Sequence, residues 1–294
     1  MGIKNLFDCI RNGAPEAIST CDLASLRGMT IAIDASISIY QWAHVGKSAG
    51  IIGNHIAGAL NRTMKLLALG IVPVYVFDGA PPISKGDTLA RREQGSNIIA
   101  DMAAIIDACR ELFVAMGVRV IQAPSEAEAQ AAWMVRNGAA DAIATEDMDA
   151  LAFGAPLMIR GFGSGDSVVI IDRAKVLAGL GLSSEQFTDL CILLGCDYTG
   201  TIRGVGKKRA LDYLHECGNI ERILATRTLD NSKMDYVLAR AEFIRPIVRR
   251  IEKVEVRNMH TAINLPTIRA LVEKWGVKEK RVDAAIKSLE LMCG

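Results

Sequence analysis

Apolar runs that end in a carboxylate constrain the fold of this chain more than any other sequence feature. Asp34 closes the run MTIAIDA, Asp78 closes VPVYVFDG, and Asp147 and Asp149 come just after the apolar residues Ala140–Ala144. Short apolar runs of this kind predict buried strands. If the strands are parallel, their carboxyl ends lie at one edge of the sheet, where ligands of open α/β sheets bind. These acids are therefore expected to meet in one cleft.

Three further acids extend the pattern. Glu126 and Glu128 open a helix-like segment, and Asp197 follows the apolar helix LCILLGC. Any one of them could instead belong to a solvent-exposed rim, since Asp and Glu are mostly exposed. Glu128 has a second structural explanation, because it completes a capping box with Ser125. Seven acids in one cleft, by contrast, would not all stay ionised without a compensating cation.

The type of cation follows from the ligands. Carboxylates with few His or Cys residues nearby favour Mg²⁺ or Mn²⁺. Two such ions about 4 Å apart are the usual arrangement for cleaving a phosphodiester bond. The residues alone therefore predict a two-metal site, with a solvated acidic rim as the alternative.

Strand and helix patterns alternate in the first part of the chain and helix patterns follow. This order predicts an α/β fold with a mostly parallel central sheet, flanking helices and a helical C-terminal part. Residues 1–28 are interpreted as a short helix and a loop. The predicted strands are Met29–Ala35, Val72–Phe77, Val118–Ile121, Ala140–Ala144, Leu157–Arg160 and Val168–Ile171. A helix is predicted to start over Ile37–Trp42. The other predicted helices are Asn54–Leu69, Thr88–Met116, Ser184–Gly195, Lys207–Cys217, Ala239–Ile251, Thr267–Trp275 and Val282–Met292.

Composition narrows the class of protein. The net charge is +1, but without the seven candidate acids 34 basic residues face 26 acidic ones, a balance that permits nucleic-acid binding. The seven cysteines form no CxxC pair and no zinc-type spacing, as expected of free thiols in a reducing compartment. No apolar run approaches the roughly 20 residues of a membrane span, and no signal sequence is expected. An intracellular protein without a membrane segment is expected.

Two cations and one aromatic residue are placed near the predicted cleft. Lys85 and Arg92 are seven residues apart, so on a helix they share one face, close to Asp78. There they could stabilise negative charge on a phosphate, or simply form a solvated basic face. Tyr40 follows Asp34 by six residues and could stack on a base, with a half-buried aromatic as the alternative.

A second basic element follows the helix that ends near Gly195. Gly204 and Gly206 would let the backbone approach a ligand closely, and the next helix opens with three cations. A helix N-terminus disfavours cations, so an anion is expected nearby, and backbone N–H groups there suit phosphate. The pattern indicates a clamp for a DNA backbone, with a basic surface turn as the alternative. The three cations are Lys207, Lys208 and Arg209.

Six blocks of the chain resemble, in order, the signature blocks of the flap endonuclease branch of the structure-specific 5′-nucleases. The resemblance extends from Met1 to about Ile223. The blocks are MGIKNL, IAIDASISIYQW, VYVFDGAPP, APSEAEAQAA, ATEDMDALAFG and LCILLGCDYTGTIRGVGKKRALDYL.

The resemblance implies a PIN-like 5′-nuclease fold and a structure-specific endonuclease that cleaves 5′ flaps at single-/double-stranded DNA junctions. It also implies 5′-exonuclease activity, a role in DNA replication and repair, and two Mg²⁺ ions per active site, for which Mn²⁺ can substitute. By family analogy the product carries a 5′-phosphate. One ion would be surrounded by Asp34, Asp78, Glu126 and Glu128. The second would be completed by Asp147, Asp149 and Asp197.

Further roles are implied residue by residue. Lys85 and Arg92 would grip the scissile phosphate, Tyr40 would stack on a base, and Gly2, freed by loss of Met1, would lie near the site. The full set of implied DNA-binding residues is Gly2, Tyr40, Lys47, Lys85, Arg92, Glu126, Gly204, Gly206, Lys207, Lys208 and Arg209. In the implied helix–two-turn–helix, a K⁺ ion would be held by Thr201, Ile202 and Val205.

The resemblance also implies a division of one nuclease domain, residues 1–294. An N-terminal nuclease region (1–95) would be followed by a shortened helical arch (96–117). An internal nuclease region (118–223) would contain the helix–two-turn–helix at about 184–217, and C-terminal helices (224–294) would follow. A monomer acting on branched or flapped DNA is expected, in the nucleus if the organism is eukaryotic.

The chain departs from the family pattern in three places. The segment between Arg92 and Glu126 is shorter than the family's arch, and Gly95 stands where another arch Arg is usual. Lys47 replaces an Arg, which keeps the charge but loses the planar fork. The end, LMCG, has no QxxLxxFF-type motif, so the resemblance does not extend to binding a sliding clamp.

Four alternative functions stay open at this point. Two are enzymes of the same superfamily, a mismatch-repair-type 5′-exonuclease and a junction resolvase. A third is a relative that cleaves RNA. The fourth is a non-catalytic DNA-junction binder, against which the presence of all seven acids argues.

Overall fold

The computed structural model describes residues 2–51, 53–82, 99–162, 165–251 and 263–293, which form one seven-stranded sheet with helices on both faces. The strands are β1 (Ile18–Asp22), β2 (Thr30–Asp34), β3 (Val72–Phe77), β4 (Arg119–Gln122), β5 (Ala142–Ala144), β6 (Leu157–Arg160) and β7 (Ser167–Asp172). The helices of the first half are α1 (Leu6–Gly13), α2 (Ala35–Ser48), α3 (Asn54–Ala68), α4 (Ile99–Ala115), α5 (Ala127–Arg136) and α6 (Asp149–Ala152). The later helices are α7 (Arg173–Leu180), α8 (Ser184–Leu194), α9 (Lys207–Cys217), α10 (Ile220–Thr226), α11 (Tyr236–Ile244), α12 (Leu265–Lys274) and α13 (Asp283–Cys293).

The sheet has the order β1-β7-β6-β5-β2-β3-β4. The pairs from β6 across to β4 are all parallel, and only β7 runs antiparallel to its two neighbours, β1 and β6. The predicted mostly parallel α/β fold is therefore confirmed. Its consequence for function is that β2, β3, β4 and β5 all end at the same edge of the sheet.

Both faces of the sheet are covered, as the continuous apolar runs require. Successive side chains of a strand point to opposite faces, so Val74 and Val76 pack in one core while Tyr75 and Phe77 pack in the other. The first face is covered by α1 and by α5 through α11, and the second by α2, α3, α4, α12 and α13.

All six predicted strands are present, but the prediction for residues 1–28 was incomplete. Besides α1, this segment contains β1, which pairs antiparallel with β7 from Ile18 to Asp22. The strand lies at the edge of the sheet and three of its five residues are exposed. Its short polar sequence therefore carries little of the apolar signal that identifies buried strands.

Two helix predictions are corrected. The helix predicted over Ala239–Ile251 ends at Ile244, because Arg245 precedes Pro246 and the residue before a proline is excluded from helical geometry. The capping box of Ser125 and Glu128 is not formed: the N-cap residue of α5 is Glu126, and its own side chain does not cap the helix. The helices α6, α7 and α10 were not predicted. For the predicted helix Thr88–Met116, the described part begins at Ile99.

None of the described helices combines the length and the apolar composition needed to span a membrane.

Candidate active site

The candidate site lies where two neighbouring strands of the sheet end. The helices that connect β2 to β3 and β3 to β4 cover the second face of the sheet. The helices that connect β4 to β5 and β5 to β6 cover the first face. Because β2 and β5 are adjacent, the crevice at their carboxyl ends is the topological switch point at which open α/β sheets bind ligands. Asp34 ends β2 there, and the hydroxyl of Thr145, just after β5, donates to its Oδ2 at 3.3 Å.

Asp34 also begins the next helix. Its Oδ1 accepts a hydrogen bond from the backbone N–H of Ile37 at 3.1 Å, which makes Asp34 the N-cap of α2. The side chain is only 2% exposed. One carboxylate is thus held by the start of a helix on one side and by the neighbouring strand on the other.

Asp147 and Asp149 continue from β5 as a hydrogen-bonded turn. The N–H of Asp147 donates to the Thr145 hydroxyl at 3.1 Å, and the N–H of Asp149 donates to Oδ1 of Asp147 at 2.9 Å. Both side chains are buried. The backbone therefore fixes both carboxylates at the same crevice as Asp34.

The N-terminal segment closes over this turn. The N–H of Ile3 donates to Oδ1 of Asp149 at 2.9 Å. Gly2 has a φ of 77°, and a Cβ at this residue would collide with Oδ1 of Asp147 and of Asp149. Glycine is the residue that tolerates this φ without a side chain to clash. Gly2 therefore lies in contact with the acids.

Asp78 and the two glutamates bring the adjacent strand ends to the same crevice. Asp78 follows β3, is exposed, and accepts at Oδ1 from the N–H of Ala127 at 2.9 Å. Glu126 is buried at the start of α5 and accepts from the hydroxyl of Tyr198. Glu128, one residue beyond Ala127, is partly buried and is hydrogen-bonded to Asp34.

Mutual repulsion is evident in the pKa values of this group. Burial, followed by the charges of Asp78 and Asp147, raises the pKa of Asp34 to about 7. Burial and the charges of Asp34, Asp78 and Asp147 raise the pKa of Glu128 well above its ordinary value. Carboxylates that repel each other in this way are stabilised as anions by a cation placed among them.

Asp197 is the sequence neighbour of a residue that contacts the acids. It follows α8 and is partly buried, and its neighbour Tyr198 reaches Glu126. The ring of Tyr198 lies 5.0 Å from that of Phe243 and 6.4 Å from that of Phe153. This aromatic cluster fixes the backbone beside Asp197 against the end of α6 and against α11.

The donor set fits divalent magnesium or manganese. Carboxylate oxygens are the ligands that Mg²⁺ prefers, and it usually keeps several waters. The thiols nearest the acids are poor competitors, because burial raises the pKa of Cys196 to about 12 and that of Cys191 well above its ordinary value. In the part of the chain that the structure describes, no three His, Cys, Asp or Glu side chains form a ready-made metal cage. Several ligands would therefore act through water.

Of the two cations and the aromatic residue that were predicted near the cleft, the structure describes only the aromatic residue. Lys85 and Arg92 lie outside the described residues, as does Gly95. Tyr40 is 52% exposed on α2, the helix that Asp34 caps, and Lys47 is exposed in the last turn of the same helix. Tyr40 is thus accessible to a ligand.

The predicted basic element forms a rigid turn with exposed cations. The N–H of Val205 donates to the carbonyl of Ile202 at 3.2 Å, and Gly204 has a φ of 82°, as expected at the third position of a type II turn. The side chains of Ile202 and Val205 are buried in the core of the first face, whereas Thr201 is exposed.

The cations of this element differ in their partners. Nζ of Lys207 lies 3.6 Å from Oδ2 of Asp8, on α1. Lys208 and Arg209 are exposed, and Nη1 of Arg209 donates to the carbonyl of Gly204 at 2.8 Å. Arg209 therefore also holds the turn in place. The backbone N–H groups at the start of α9 follow Gly206 and have no side-chain cap.

Sequence reasoning missed two residues that hold the acids. Thr145 bridges Asp34 and Asp147 across the switch point, and Tyr198 holds Glu126. The signal for Thr145 was its place directly after the strand β5. The signal for Tyr198 was weaker: a phenol next to a candidate acid, which needs a hydrogen-bond acceptor if it is buried.

Comparisons with known proteins identify the family. The XPG N-terminal domain model matches residues 1–98 and the XPG I-region model matches residues 117–197. Flap endonuclease 1-B of Physcomitrium patens is 38% identical over 332 residues, which cover 99% of this chain and 95% of that protein. The chain belongs to the flap endonuclease family. Flap endonuclease 1 of Caenorhabditis elegans is 35% identical over 332 residues, covering 99% of this chain and 86% of that protein.

A solved structure extends the likeness to the fold of this flap endonuclease. The catalytic core of Rad2 in complex with DNA substrate superposes with a TM-score of 0.80 at 26% identity, covering 98% of this chain and all of that one. The resemblance drawn from the six sequence blocks is thus confirmed. The chain is a structure-specific nuclease that hydrolyses phosphodiester bonds.

Proposed function

We propose that this flap endonuclease cleaves 5′ flaps at single-/double-stranded DNA junctions, with 5′-exonuclease activity, and that it uses two divalent cations held by seven acids. The observation that carries the proposal is the convergence of acids at the β2–β5 switch point. Asp34 and Glu128 are hydrogen-bonded to each other, and burial, followed by the charges of neighbouring acids that include Asp78 and Asp147, raises the pKa values of both. Such a group binds cations because its own charges repel.

The acids divide into two sets in this proposal. The cations, Mg²⁺ or Mn²⁺, would supply an activated water and neutralise charge on the phosphate when bound. One would be held by Asp34, Asp78, Glu126 and Glu128. The other would be held by Asp147, Asp149 and Asp197, partly through water.

The surrounding residues keep the acids in position. The N–H groups of Ile3 and Asp149 and the hydroxyl groups of Thr145 and Tyr198 all donate to carboxylates of the site. Donors that are fixed before the reaction add no reorganisation cost during it. Gly2 leaves room for this arrangement because it has no side chain.

Substrate contacts in the proposal lie around this core. Tyr40, exposed on α2, would stack on a base near the cleavage point, and Lys47 would contact the DNA backbone. Lys85 and Arg92 would stabilise the scissile phosphate by family analogy. Gly204, Gly206 and the cations Lys207, Lys208 and Arg209 would contact a duplex backbone.

A K⁺ ion at the basic turn is the finer part of the proposal. The buried side chains of Ile202 and Val205 and the type II turn support it, because they hold backbone carbonyls in a fixed position at the surface. The carbonyls of Thr201, Ile202 and Val205, with the Thr201 hydroxyl, would supply oxygen ligands. The ion would then bridge the turn and a DNA phosphate.

The rival functions are less well supported. Human GEN1 in complex with Holliday junction DNA has a TM-score of 0.77 with this chain but only 19% identity, which is a likeness of fold alone. The curated flap endonucleases reach 35% to 41% identity. A non-catalytic junction binder would have no need of the acids that meet at the β2–β5 switch point.

Cleavage mapping on a double-flap DNA tests the proposal. With Mg²⁺ we expect incision at the base of the 5′ flap and a 5′-phosphate on the product, and with Ca²⁺ we expect binding without cleavage. Nicked duplex and four-way junction substrates, run in parallel, distinguish an exonuclease or a resolvase. Faster cleavage of either of these than of the flap would contradict the flap assignment.

A further inference from the structure

A basic segment that directly follows α11 is not used by the proposed mechanism. We call residues 245–251, with the sequence RPIVRRI, the arginine strap. Its Val248 and Ile251 pack inward against the core of the first face, whereas Ile247 is 62% exposed. Its three arginines, Arg245, Arg249 and Arg250, are exposed.

One buried side chain anchors the strap. Nε2 of Gln130, on α5, donates to the carbonyl of Arg249 at 3.0 Å, and the N–H of Arg249 donates to Oε1 of Gln130 at 2.9 Å. Gln130 is fully buried. Its amide thus pairs with both backbone groups of one residue, as a neighbouring strand would. The backbone of the strap is fixed while its guanidinium groups stay on the surface.

The anchor lies close to the proposed active site. Gln130 is four residues beyond Glu126 on the same helix, which corresponds to about 6 Å along the axis. At the end of α11, the ring of Phe243 lies 5.0 Å from that of Tyr198, whose hydroxyl donates to Glu126. The strap therefore starts and is anchored beside the acids.

The positive charge of the strap is not compensated by ion pairs within the described chain. None of the salt bridges among the described residues involves Arg245, Arg249 or Arg250. The strap itself contains no acid; in the sequence Glu242 precedes it and Glu252 follows it. Exposed arginines on a fixed backbone are suited to bind phosphate.

The strap is also connected to the basic turn at residues 201–206. The N–H of Gly200 donates to the carbonyl of Lys233 at 3.0 Å, and the N–H of Asp235 donates to the Thr199 hydroxyl at 2.6 Å. These bonds join the turn to the start of α11, and the strap follows its end. Nine helical residues span about 14 Å, which is comparable to the roughly 12 Å width of the major groove.

We propose that the arginine strap is a second binding site for the phosphate backbone of duplex DNA, which acts with the basic turn on the same duplex. The proposal rests on the proposed function, since it requires a DNA substrate at the acid site. The length of α11, which is about one groove width, favours a duplex over a single strand, because only a duplex presents two backbones at that spacing.

Salt-dependent binding to a blunt duplex tests the proposal. Fluorescence anisotropy is measured in Ca²⁺ for the wild type and for Arg245→Gln, Arg249→Gln and Arg250→Gln. Each lost phosphate contact is expected to reduce the slope of log K against log salt by about one. The control is Arg119→Gln, which removes one exposed charge at the start of β4. The start of this strand lies at the amino-terminal edge of the parallel strands, whereas the acids lie at their carboxyl-terminal edge.

The outcomes are distinct. A slope that falls in the strap variants but not in Arg119→Gln supports the proposal. Slopes equal to that of Arg119→Gln in all three strap variants overturn it, as does a change seen with a single-stranded oligonucleotide but not with the duplex. If the strap proposal alone fails, the wild type still cleaves the double flap; if the proposed function fails, the wild type does not.

A second variant tests the anchor without changing any charge. Gln130→Met keeps the side-chain volume but removes both hydrogen bonds to Arg249. Hydrogen exchange at the Arg249 amide is expected to accelerate, and duplex affinity is expected to fall although all three arginines remain. Faster exchange with unchanged duplex affinity would contradict the role of Gln130 in fixing the strap for binding, whereas the arginine variants decide whether the strap binds the duplex.

Discussion

The acid cleft and the basic turn of this protein hold their charges in opposite ways. In the cleft, Asp34 and Asp149 are buried and accept hydrogen bonds from backbone N–H groups. At the turn the backbone is equally fixed, but Lys207 and Lys208 carry their charges at or near the surface. Fixed, buried charges suit chemistry on one phosphate, whereas exposed charges suit a backbone whose position varies along the DNA. The two regions should therefore respond differently to mutation.

The largest effect is expected for Asp149. In Asp149→Ala the single-turnover cleavage rate should fall by about 10³-fold, which is the upper range for loss of one fixed electrostatic group. The same loss of rate is expected for Asp197→Ala. Junction binding measured in Ca²⁺ should change little. Asp149→Asn keeps an acceptor for the Ile3 N–H, so an equal loss in this variant would assign the effect to the charge. Wild-type turnover by Asp149→Ala would refute the metal-site assignment.

A smaller loss is expected at the glycine that contacts the acids. Gly2→Ala would push the carboxylates of Asp147 and Asp149 aside, and displacements of this size cost about 10²-fold in rate. Gly28→Ala is the matched control, because Gly28 has a similar φ of 83° and nothing near its Cβ position. Gly28→Ala introduces a side chain at positive φ without a clash, so it should lower the free energy of unfolding by about 1–2 kcal/mol and leave the cleavage rate unchanged. Equal rates in the two variants would contradict the role of Gly2.

A still smaller effect is expected when the Tyr198 hydroxyl is removed. Tyr198→Phe keeps the aromatic cluster but leaves Glu126 without this donor, and outer partners of metal ligands contribute about 10-fold or more in metal affinity or activity. The apparent Mg²⁺ affinity, measured from cleavage rates, should fall accordingly. Tyr75→Phe is the control, because it removes a buried 2.8 Å hydrogen bond to Thr63 inside the core of the second face. Matching Mg²⁺ curves for the two variants would argue against a positioning role for Tyr198.

The smallest change is expected at the basic turn. Lys208→Gln should weaken duplex binding a few-fold and lower the salt slope by about one, since one phosphate contact is lost. The comparison with Asp149→Ala sharpens the contrast between the regions, because that variant should lose rate and not affinity. An unchanged salt slope for Lys208→Gln would show that the turn is a basic surface without contact to DNA.

Much of the fold was predictable because the buried strands carry a strong apolar signal. All six predicted strands were found, and Asp34 is the last residue of β2 as predicted. The edge strand β1 was missed because most of its residues face solvent, and Ser125 was assigned as a cap because its sequence context fits one. Neither error affects the site, since the acids follow the central strands.

The arrangement of the site was only partly predictable. The spacing of acids after apolar runs indicated which residues would meet, but not which groups would hold them. Thr145, Tyr198 and the Ile3 N–H come from three distant segments of the chain. Their contacts depend on strand order, which no local pattern encodes.

The sequence by itself determined the family, the α/β class and the set of acids, because these follow from local patterns of apolar and charged residues. Only the tertiary structure decided that β2 and β5 are neighbours, that Gly2 lies against the acids, and that Gln130 anchors the arginine strap. The physical reason is that each of these depends on contacts between residues far apart along the chain. Their geometry is set by packing on the two faces of one sheet.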